Sequence, residues 1–365
     1  MRKRKIKILI IVGTRPNFIK VAPLIKEMRR YRKIESILVH TGQHYDFEMS
    51  KVFFQELKIP KPDYNLEVGS GSHAWQTAKI MEKLESLILK EKPDLVIVVG
   101  DVNSTLAGAL TAAKLWIPVV HIEAGLRSYN KTMPEEINRL LTDHVSDFLF
   151  CPTKTAVDNL EGEGIKKGVF NVGDIMYDAL LGVKGKIKKS KILKKFKLKP
   201  KSYILMTVHR ASNTNNLKNL EKIITAAGNS KEKIIFPIHP RTKKQIKKIK
   251  LPDFKNLEII KPVSYLDMLV LEKNAKKILT DSGGVQKEAY WLKVPCLTFR
   301  EETEWPETVR SGWNVLVGCD EEEILKTIQK FNLSQRKHYN YFGTGRTAKK
   351  IMEILEHEYL AHHHR

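Results

Sequence analysis

The sequence is poor in cysteine and has no long apolar run. Its 365 residues include three cysteines, Cys151, Cys296 and Cys319, and none has a partner at a metal-ligand spacing. This composition argues against a disulfide framework or a structural zinc and is typical of a reducing compartment. No apolar stretch approaches the roughly 20 residues that a membrane-spanning helix needs. We therefore expect a soluble, cytoplasmic protein with no membrane partner.

Motifs for several common kinds of catalysis are absent as well. No Gly-x-Gly-x-x-Gly follows the first strand-like run, which argues against NAD. No Gly-x-Ser-x-Gly elbow occurs, and His209 and His239 lack close partners at a metal-ligand spacing. We expect a protein that uses neither a cofactor nor a metal.

Acidic residues are outnumbered by basic ones. The chain has 41 Asp and Glu against 64 Lys and Arg, a formal net charge of +23. No aromatic RNP strand or zinc finger accompanies this excess, as would be expected of a nucleic-acid-binding protein. An anionic small substrate, or a Lys/Glu-rich surface of the thermophile kind, explains the charge as well. We therefore expect no nucleic-acid partner.

What the sequence does contain is a regular alternation of short apolar strands and helical patterns, twice over. Such alternation predicts βαβ units in a parallel, doubly wound sheet. A chain of this length exceeds one ordinary core, so two domains are expected. The Lys-rich segment 182–201 has few structure signals and is the best linker candidate. The predicted strands are 6–13, 35–40, 95–99, 118–122, 148–151, 203–207, 234–238, 257–260, 277–280 and 295–299.

Polar side chains follow nearly every predicted strand. In open α/β sheets, ligands bind outside the carboxyl ends of the strands. One polar strand end is readily explained as an ordinary surface loop, but seven across both halves of the chain indicate a cleft for a polar, charged ligand. The residues concerned are Arg15, Gln43 with His44, Asp101, Glu123, His209, His239, and Ser282 with Gly284.

One strand end resembles a phosphate-binding turn. Residues 277–280 form an apolar run, and Ser282-Gly283-Gly284 leads directly into a helical pattern. The first N–H groups of a helix and its positive dipole end suit a phosphate, and glycines let it approach the backbone. Glu288 lies one turn further in, where its carboxylate could accept from sugar hydroxyls. The alternative is an ordinary βα turn.

The charges at the strand ends fall into two groups. Arg15, Lys20, His209 and Arg210 favour a phosphate-bearing group. Carboxylates next to a bound anion suit proton transfer, because a nearby like charge or burial raises their pKa. The carboxylates are Asp101, Glu123 and Glu135.

Each carboxylate also has a structural alternative. Asp101 could be a helix N-cap, and Glu123 could form an ion pair with Arg127. Glu135 and Glu136 follow Pro134 in a typical helix start. The residues alone leave both interpretations open.

The ordered motifs resemble the non-hydrolysing UDP-N-acetylglucosamine 2-epimerases over essentially the whole chain. The resemblance implies two Rossmann-like doubly wound α/β domains that face a cleft, a fold of the glycosyltransferase-B type. The domains would span 1–181 and 182–344, with a helix in 345–365 packing back on the first. The matching segments are residues 13–16 with Lys20, 42–44, 100–101, 121–127, 134–139, 173–174, 209–210, 280–284 with Gln286 and Glu288, and Arg300 with 306–307.

Members of this family interconvert UDP-N-acetylglucosamine and UDP-N-acetylmannosamine without NAD or metal. UDP is eliminated to give 2-acetamidoglucal and is then added back, so the resemblance implies UDP and both UDP-sugars as ligands and, commonly, a homodimer. Matching positions assign catalysis to Asp101, Glu123, Glu135 and His209. They assign substrate binding to Arg15, Lys20, Asp101, Glu123, His209, Ser282, Gly283, Gly284 and Glu288.

The resemblance also implies a second, activating UDP-N-acetylglucosamine site in bacterial members. Gln43, His44, Glu136 and Arg210 match such a site. The chain departs from the family pattern nearby, with Tyr45-Asp46 where bacterial enzymes have Arg-Glu. It departs again at Trp305, where many bacterial relatives have arginine, and at Met268, where an aromatic residue often occurs.

Three rival functions share parts of this pattern. A UDP-sugar glycosyltransferase would use the same nucleotide site but does not need so many carboxylates in the first domain. A hydrolysing epimerase would release free N-acetylmannosamine. A non-catalytic nucleotide-sugar sensor, or a nucleic-acid binder using the positive charge, belongs to a different class.

Overall fold

The computed structural model describes residues 4–43, 56, 59–333 and 336–360. The chain divides into two compact units, Met1–Gly182 with Asn340–Arg365, and Val183–Tyr339. Each unit contains a parallel sheet, and in the described residues helices connect most successive strands. The predicted fold class, two Rossmann-like α/β domains, is confirmed.

The sheet of the first unit has the order β3-β2-β1-β4-β5-β6-β7 among the described residues, and every pairing is parallel. Its central strands are runs of Ile, Leu and Val, as expected for strands covered on both faces. The strands are β1 Ile6–Val12, β2 Ile34–His40, β3 Tyr64–Asn65, β4 Leu95–Val99, β5 Val119–Ile122, β6 Phe148–Cys151 and β7 Val169–Asn171.

The sheet of the second unit repeats this pattern with the order β10-β9-β8-β11-β12-β13 in the described part. Its strands are also paired in parallel. They are β8 Ile204–Thr207, β9 Ile234–Pro237, β10 Leu257–Ile260, β11 Lys277–Thr280, β12 Cys296–Thr298 and β13 Asn314–Leu316.

The helices connect the strands and cover the sheets. They are α1 Arg15–Met28, α2 His73–Glu91, α3 Asn103–Lys114, α4 Pro134–His144, α5 Lys154–Gly162, α6 Ile175–Ile187, α7 Ile192–Lys195, α8 Ala211–Thr214, α9 Leu217–Asn229, α10 Pro240–Ile246, α11 Tyr265–Asn274, α12 Gly283–Trp291, α13 Pro306–Arg310, α14 Glu321–Lys330 and α15 Thr347–Leu355, followed by a π-helical turn, Glu356–Leu360.

Helix α15 belongs to the first unit. Ile351, Met352 and Leu355 are fully buried in the same core cluster as β1 and α1. The Asp178 carboxylate accepts hydrogen bonds from the backbone N–H of Thr347 at 3.1 Å and of Ala348 at 2.8 Å. These bonds satisfy donors that the first turn of a helix leaves without an intrahelical partner.

Each sheet reverses its strand order at one point, between β1 and β4 in the first unit and between β8 and β11 in the second. Loops leave such a point in opposite directions, so it is where open α/β sheets bind ligands. The ends of these four strands lead to Arg15, Asp101, His209 and Ser282. Four of the predicted polar strand ends therefore lie at the two reversal points.

The two units divide at Gly182 and Val183, where the predicted linker segment 182–201 begins. The segment is not without structure, because α6 continues through Ile187 and α7 follows at Ile192–Lys195. Lysine is a good helix former, and its abundance there was misinterpreted as a lack of structure. Three short edge strands, β3, β7 and β13, were not predicted, because two or three residues show no periodicity. Among the described residues, no helix is long and apolar enough to cross a membrane.

Candidate active site

Lys20 and Glu123 form a buried ion pair in the first unit. Lys20 Nζ donates a hydrogen bond to Glu123 Oε2, and both residues are buried. A Cβ atom on Gly100 would lie 2.8 Å from Lys20 Nζ and 3.4 Å from Glu123 Oε2, and Gly100 has a φ of +72°. The glycine that ends β4 therefore makes room for this pair and takes a backbone conformation that other residues disfavour.

Glu123 has a strained backbone. Its φ is +76°, in a region that residues with a Cβ rarely occupy. The N–H groups of Glu123 and Ala124 both donate to the carbonyl of Phe150, which holds the turn after β5. Strain of this kind persists where surrounding contacts enforce it, and it concentrates at functional sites.

Asp101 is paired with Arg139 of helix α4. Arg139 Nη1 lies 2.7 Å from Asp101 Oδ2, and the Asn138 side chain donates to the Asp101 carbonyl at 2.9 Å. The arginine side chain is 2% exposed, whereas the Asp101 side chain keeps 26% of its surface exposed. Asp101 is thus anchored at one oxygen and still reachable from solvent.

The predicted acid/base residues of the first unit are electrostatically coupled. Burial raises the pKa of Asp101 above its ordinary value, Arg139 and Lys20 oppose this, and Glu135 and Glu123 add to it. Solvent reaching the exposed part of Asp101 moderates the shift. Asp101, Glu123 and Glu135 therefore lie close enough together for the charge of one to affect the proton affinity of another.

Two of the structural alternatives are wrong. The N-cap of α3 is Val102, so Asp101 does not cap that helix. Arg127 pairs with Asp143 at 2.6 Å and with Glu163 at 2.6 Å rather than with Glu123.

The helix-start interpretation of the Pro-Glu-Glu segment is correct. Helix α4 begins at Pro134, and its first turn contains Glu135 and Glu136. For Glu135 this does not compete with a catalytic role, because its charge still acts on Asp101 and raises the pKa of that carboxyl group.

A buried network behind this cluster was not predicted. His121 Nε2 lies 2.8 Å from the Gly100 carbonyl oxygen, and His121 Nδ1 lies 2.6 Å from Asp143 Oδ1. The other oxygen of Asp143 accepts from Arg127 and from the Gly125 N–H. This network ties the turn after β4 to the turn after β5, the turns that present Asp101 and Glu123.

Two of the residues matched to a second ligand site, Gln43 and Glu136, are hydrogen-bonded within the first unit. Gln43 Oε1 accepts from the N–H of Ser104 at 3.0 Å and from its hydroxyl at 2.6 Å. Glu136 is 1% exposed, and its carboxylate accepts from Arg139 and from the backbone of Ser128 and Tyr129. His44 lies outside the described residues. The second site stays a prediction, and any direct contact from Glu136 would have to replace these bonds.

In the second unit, Ser282 caps helix α12. Its hydroxyl accepts a hydrogen bond from the Val285 N–H at 3.5 Å, and its own N–H donates to Thr280 Oγ1 at 3.0 Å. Gly283 and Gly284 are the first two residues of the helix, so their N–H groups have no intrahelical acceptor. This geometry is that of an anion-binding helix N-terminus.

Asp281 joins the loop after β8 to this turn. Its carboxylate accepts from the N–H of His209 at 3.0 Å and of Arg210 at 2.9 Å, and from the Asn213 side chain at 3.1 Å. His209 Nδ1 lies 3.6 Å from Asp281 Oδ1, and about a third of the His209 side chain is exposed. The predicted phosphate-side residues His209, Arg210 and Ser282 are therefore held together by a residue that was not predicted.

Glu288 is next to a second carboxyl group. Glu272 of α11 is fully buried, and burial, with the negative charge of Glu288 adding to it, raises its pKa well above the ordinary glutamate value. Neither carboxyl oxygen of Glu272 has a hydrogen-bond partner among the described residues. Ionising both carboxyl groups is therefore unfavourable, which favours one proton held by the pair.

Arg15 is exposed and is the first residue of α1, three residues after the end of β1, and His239 is the N-cap of α10. Sequence reasoning missed Arg139, Asp281 and Glu272. A signal existed for two of them, because Arg139 lies in a segment matched to the family and Asp281 lies between a strand end and the Ser-Gly-Gly turn. Glu272 had none.

The fold and the site define a Rossmann-like α/β enzyme with coupled carboxylates in one unit and a phosphate-type turn in the other. The sequence model of the family "UDP-N-acetylglucosamine 2-epimerase" matches residues 26–356. The chain belongs to this family and is an epimerase.

Three relatives illustrate the similarity. A UDP-N-acetylglucosamine 2-epimerase homolog of Methanococcus maripaludis is 59% identical, covering 96% of this chain and 99% of that protein. The crystal structure of Methanocaldococcus jannaschii UDP-GlcNAc 2-epimerase in complex with UDP-GlcNAc and UDP matches with a TM-score of 0.91 and 47% identity, covering 96% of this chain and 99% of that one. A UDP-2,3-diacetamido-2,3-dideoxy-D-glucuronate 2-epimerase of Pseudomonas aeruginosa is 44% identical, covering 96% and 99%.

Proposed function

We propose that the protein interconverts UDP-N-acetylglucosamine and UDP-N-acetylmannosamine by inverting C2 of the sugar. The coupled carboxylates Asp101, Glu123 and Glu135, each within reach of a cation or of another carboxylate, are the observation that supports it best. The complex of the 47% identical Methanocaldococcus jannaschii enzyme with UDP-GlcNAc and UDP supports the substrate class.

The C2 hydrogen is a poor acid, so its removal must accompany departure of UDP from C1. An ionised carboxylate takes the C2 proton, the C1–C2 double bond forms, and the electrons of the C1–O bond leave with UDP. The product is 2-acetamidoglucal. UDP then adds back at C1 while an acid delivers a proton to the opposite face of C2, which completes the epimerisation.

The contacts support different parts for two carboxylates. Glu123, held by the Lys20 ammonium, suits the group that accepts the proton in the ionised state. Asp101, with its raised pKa and exposed edge, suits the group that delivers a proton obtained from solvent. Glu135 raises the pKa of Asp101 through its negative charge, or it takes part in the proton transfer itself.

The second unit binds the nucleotide in this proposal. The N–H groups after Ser282, at Gly283 and Gly284, hold the diphosphate, and Glu288 accepts from the ribose hydroxyls. His209 stabilises the charge on the leaving UDP or passes it a proton, together with Arg15 and Lys20. No step requires a redox cofactor, since C2 is neither oxidised nor reduced overall.

The test is incubation of UDP-N-acetylglucosamine with the protein in D₂O, without cofactor, followed by NMR. We expect deuterium at C2 of both epimers. Free N-acetylmannosamine would identify a hydrolysing epimerase, sugar transfer to an added acceptor would identify a glycosyltransferase, and absence of exchange would contradict the proposal.

A diacetamido-uronate substrate is the second candidate, because of the 44% identical Pseudomonas aeruginosa relative. The chemistry at C2 is the same, and the substituents at C3 and C5 differ. Parallel assays with UDP-N-acetylglucosamine and UDP-2,3-diacetamido-2,3-dideoxy-D-glucuronate decide between them through the ratio of kcat/KM values.

A further inference from the structure

Trp305 lies against the predicted phosphate-binding turn. It is 4% exposed and directly precedes α13. A Cβ atom built on Gly283 would lie 3.2 Å from the indole Nε1 of Trp305 and 3.7 Å from Glu304 Oε2. The indole nitrogen therefore borders the space beside the first residue of α12. All of these residues belong to the second unit.

A buried lysine holds the indole ring. Lys287 of α12 is 1% exposed, and its Nζ lies 3.9 Å from the centroid of the Trp305 ring. A cation over an indole face is strongly attracted to the ring, more so where water is excluded. The positive charge also draws electron density from the ring, which makes the indole N–H a better hydrogen-bond donor.

The backbone of Trp305 is fixed to the same helix. Thr303 Oγ1 donates to the Gln286 side chain at 2.7 Å and accepts from the Trp305 N–H at 3.1 Å. The Trp305 carbonyl accepts from the hydroxyl of Thr308 at 2.8 Å. Because these contacts are internal to the unit, the indole is positioned before any ligand arrives, which lowers the entropic cost of using it in binding.

The carboxylate beside the turn is neutralised. Arg300 contacts both oxygens of Glu304 at 2.9 Å, a bidentate pair, and Arg210 lies 3.9 Å from one of them. An anion at Gly283 would therefore lie near a carboxylate whose charge is balanced by arginine. It would also lie near the indole N–H donor and the positive charge of Lys287.

We propose that the indole N–H of Trp305 donates a hydrogen bond to the diphosphate of the nucleotide on the Ser282–Gly284 turn, with Lys287 fixing the ring. The inference rests on the proposed function and extends its binding site. The chain thus uses a neutral donor next to the phosphate and places the positive charge behind it, on the next helical turn of α12.

The test compares UDP, UMP and uridine binding to the full chain by calorimetry. Trp305→Phe keeps a ring for Lys287 and removes only the N–H. We expect the Kd for UDP to rise about fivefold to tenfold, the loss of one hydrogen bond to a charged group, with uridine binding unchanged. Trp291→Phe is the matched control, because Trp291 contacts the same lysine at 5.6 Å and contributes none of the three atoms nearest to a Cβ built on Gly283; it should leave UDP affinity intact.

Trp305→His provides a second measurement that does not depend on the Phe variant. The imidazole Nε2 takes the place of the indole Nε1 in the five-membered ring and can donate from it, so UDP affinity should stay within about threefold of the parent protein. Unchanged UDP affinity in Trp305→Phe, or an equal loss for UDP and uridine, would overturn the proposal by assigning Trp305 to packing. If the parent protein bound no UDP at all, the proposed function itself would be wrong. That result differs from unchanged UDP binding by the Trp305→Phe variant, which would overturn only the role of Trp305.

Discussion

Two clusters of carboxyl groups, one in each unit, have opposite electrostatic environments. In the first unit, Glu123 is paired with Lys20, and Asp101 with Arg139. In the second, burial and the negative charge of Glu288 raise the pKa of the Glu272 carboxyl group. The charged form of the same functional group is thus stabilised by a cation in one place and disfavoured in the other.

The difference determines what each cluster can do. A carboxylate beside a cation stays ionised at low cost and can take up a proton when a substrate presents one. A buried carboxyl group next to a second carboxylate keeps its proton to a higher pH and can act as a hydrogen-bond donor. We infer that the first cluster transfers protons and that the second only orients a ligand-binding group.

The largest effect is expected for Glu123→Gln. The amide keeps the shape but cannot accept the C2 proton, so kcat should fall by about 10²–10⁴ while UDP affinity is retained. Glu163→Gln is the matched control, since Glu163 is the ion-paired glutamate of Arg127 in the same unit and should leave kcat within about twofold. Normal turnover by Glu123→Gln would place proton transfer elsewhere.

Arg139→Lys should have an intermediate effect. One ammonium cannot bridge Asp101 and Glu136 as the guanidinium does. Because Arg139 lowers the pKa of Asp101, its weaker contact should move the Asp101-dependent limb of the pH–rate profile to higher pH, with kcat down about tenfold. A purely structural arginine would lower the activity without moving the profile.

Much of this arrangement could be predicted from the sequence. The β-branched runs and the turns after them identified the described strands except the short edge strands β3, β7 and β13, and four of the seven polar strand ends lie at the points of strand-order reversal. The segments that position Asp101 and Ser282 are local, since each is a strand end followed directly by a helix.

The partners of these residues could not be predicted in the same way. Asp101 does not cap α3, because that helix begins at Asn103 rather than one residue earlier. Sequence patterns do not locate the start of a helix to a single residue. Arg139 and Glu272 reach their partners through packing of one helix against another part of the unit. A glutamate in Leu-Glu-Lys-Asn is indistinguishable by sequence from a surface residue, yet Glu272 is fully buried.

Glu288→Gln is expected to have a smaller effect than either change in the first unit. The amide oxygen accepts more weakly than a carboxylate, so UDP affinity should fall about threefold to tenfold with kcat at saturating substrate nearly unchanged. Titration with UDP and with UDP lacking the ribose 2′-hydroxyl checks the assignment. If Glu288 contacts that hydroxyl, the variant and parent proteins should differ less for the deoxy ligand, and an undiminished difference would contradict the contact.

Glu272→Gln should have the smallest effect, and its sign depends on pH. The raised pKa of Glu272 in the folded protein means that its stabilising contribution is complete below the ordinary glutamate pKa of about 4.3 and is lost as the pH rises through the folded value. Glutamine keeps a donor to Glu288 and cannot ionise, so this loss disappears. Between about pH 5 and about pH 9, the Tm of the variant should therefore gain about 2 °C or more relative to the parent protein, measured by calorimetry at matched ionic strength. Parallel Tm profiles would show that no proton is shared in this pair and would remove the contrast between the two clusters.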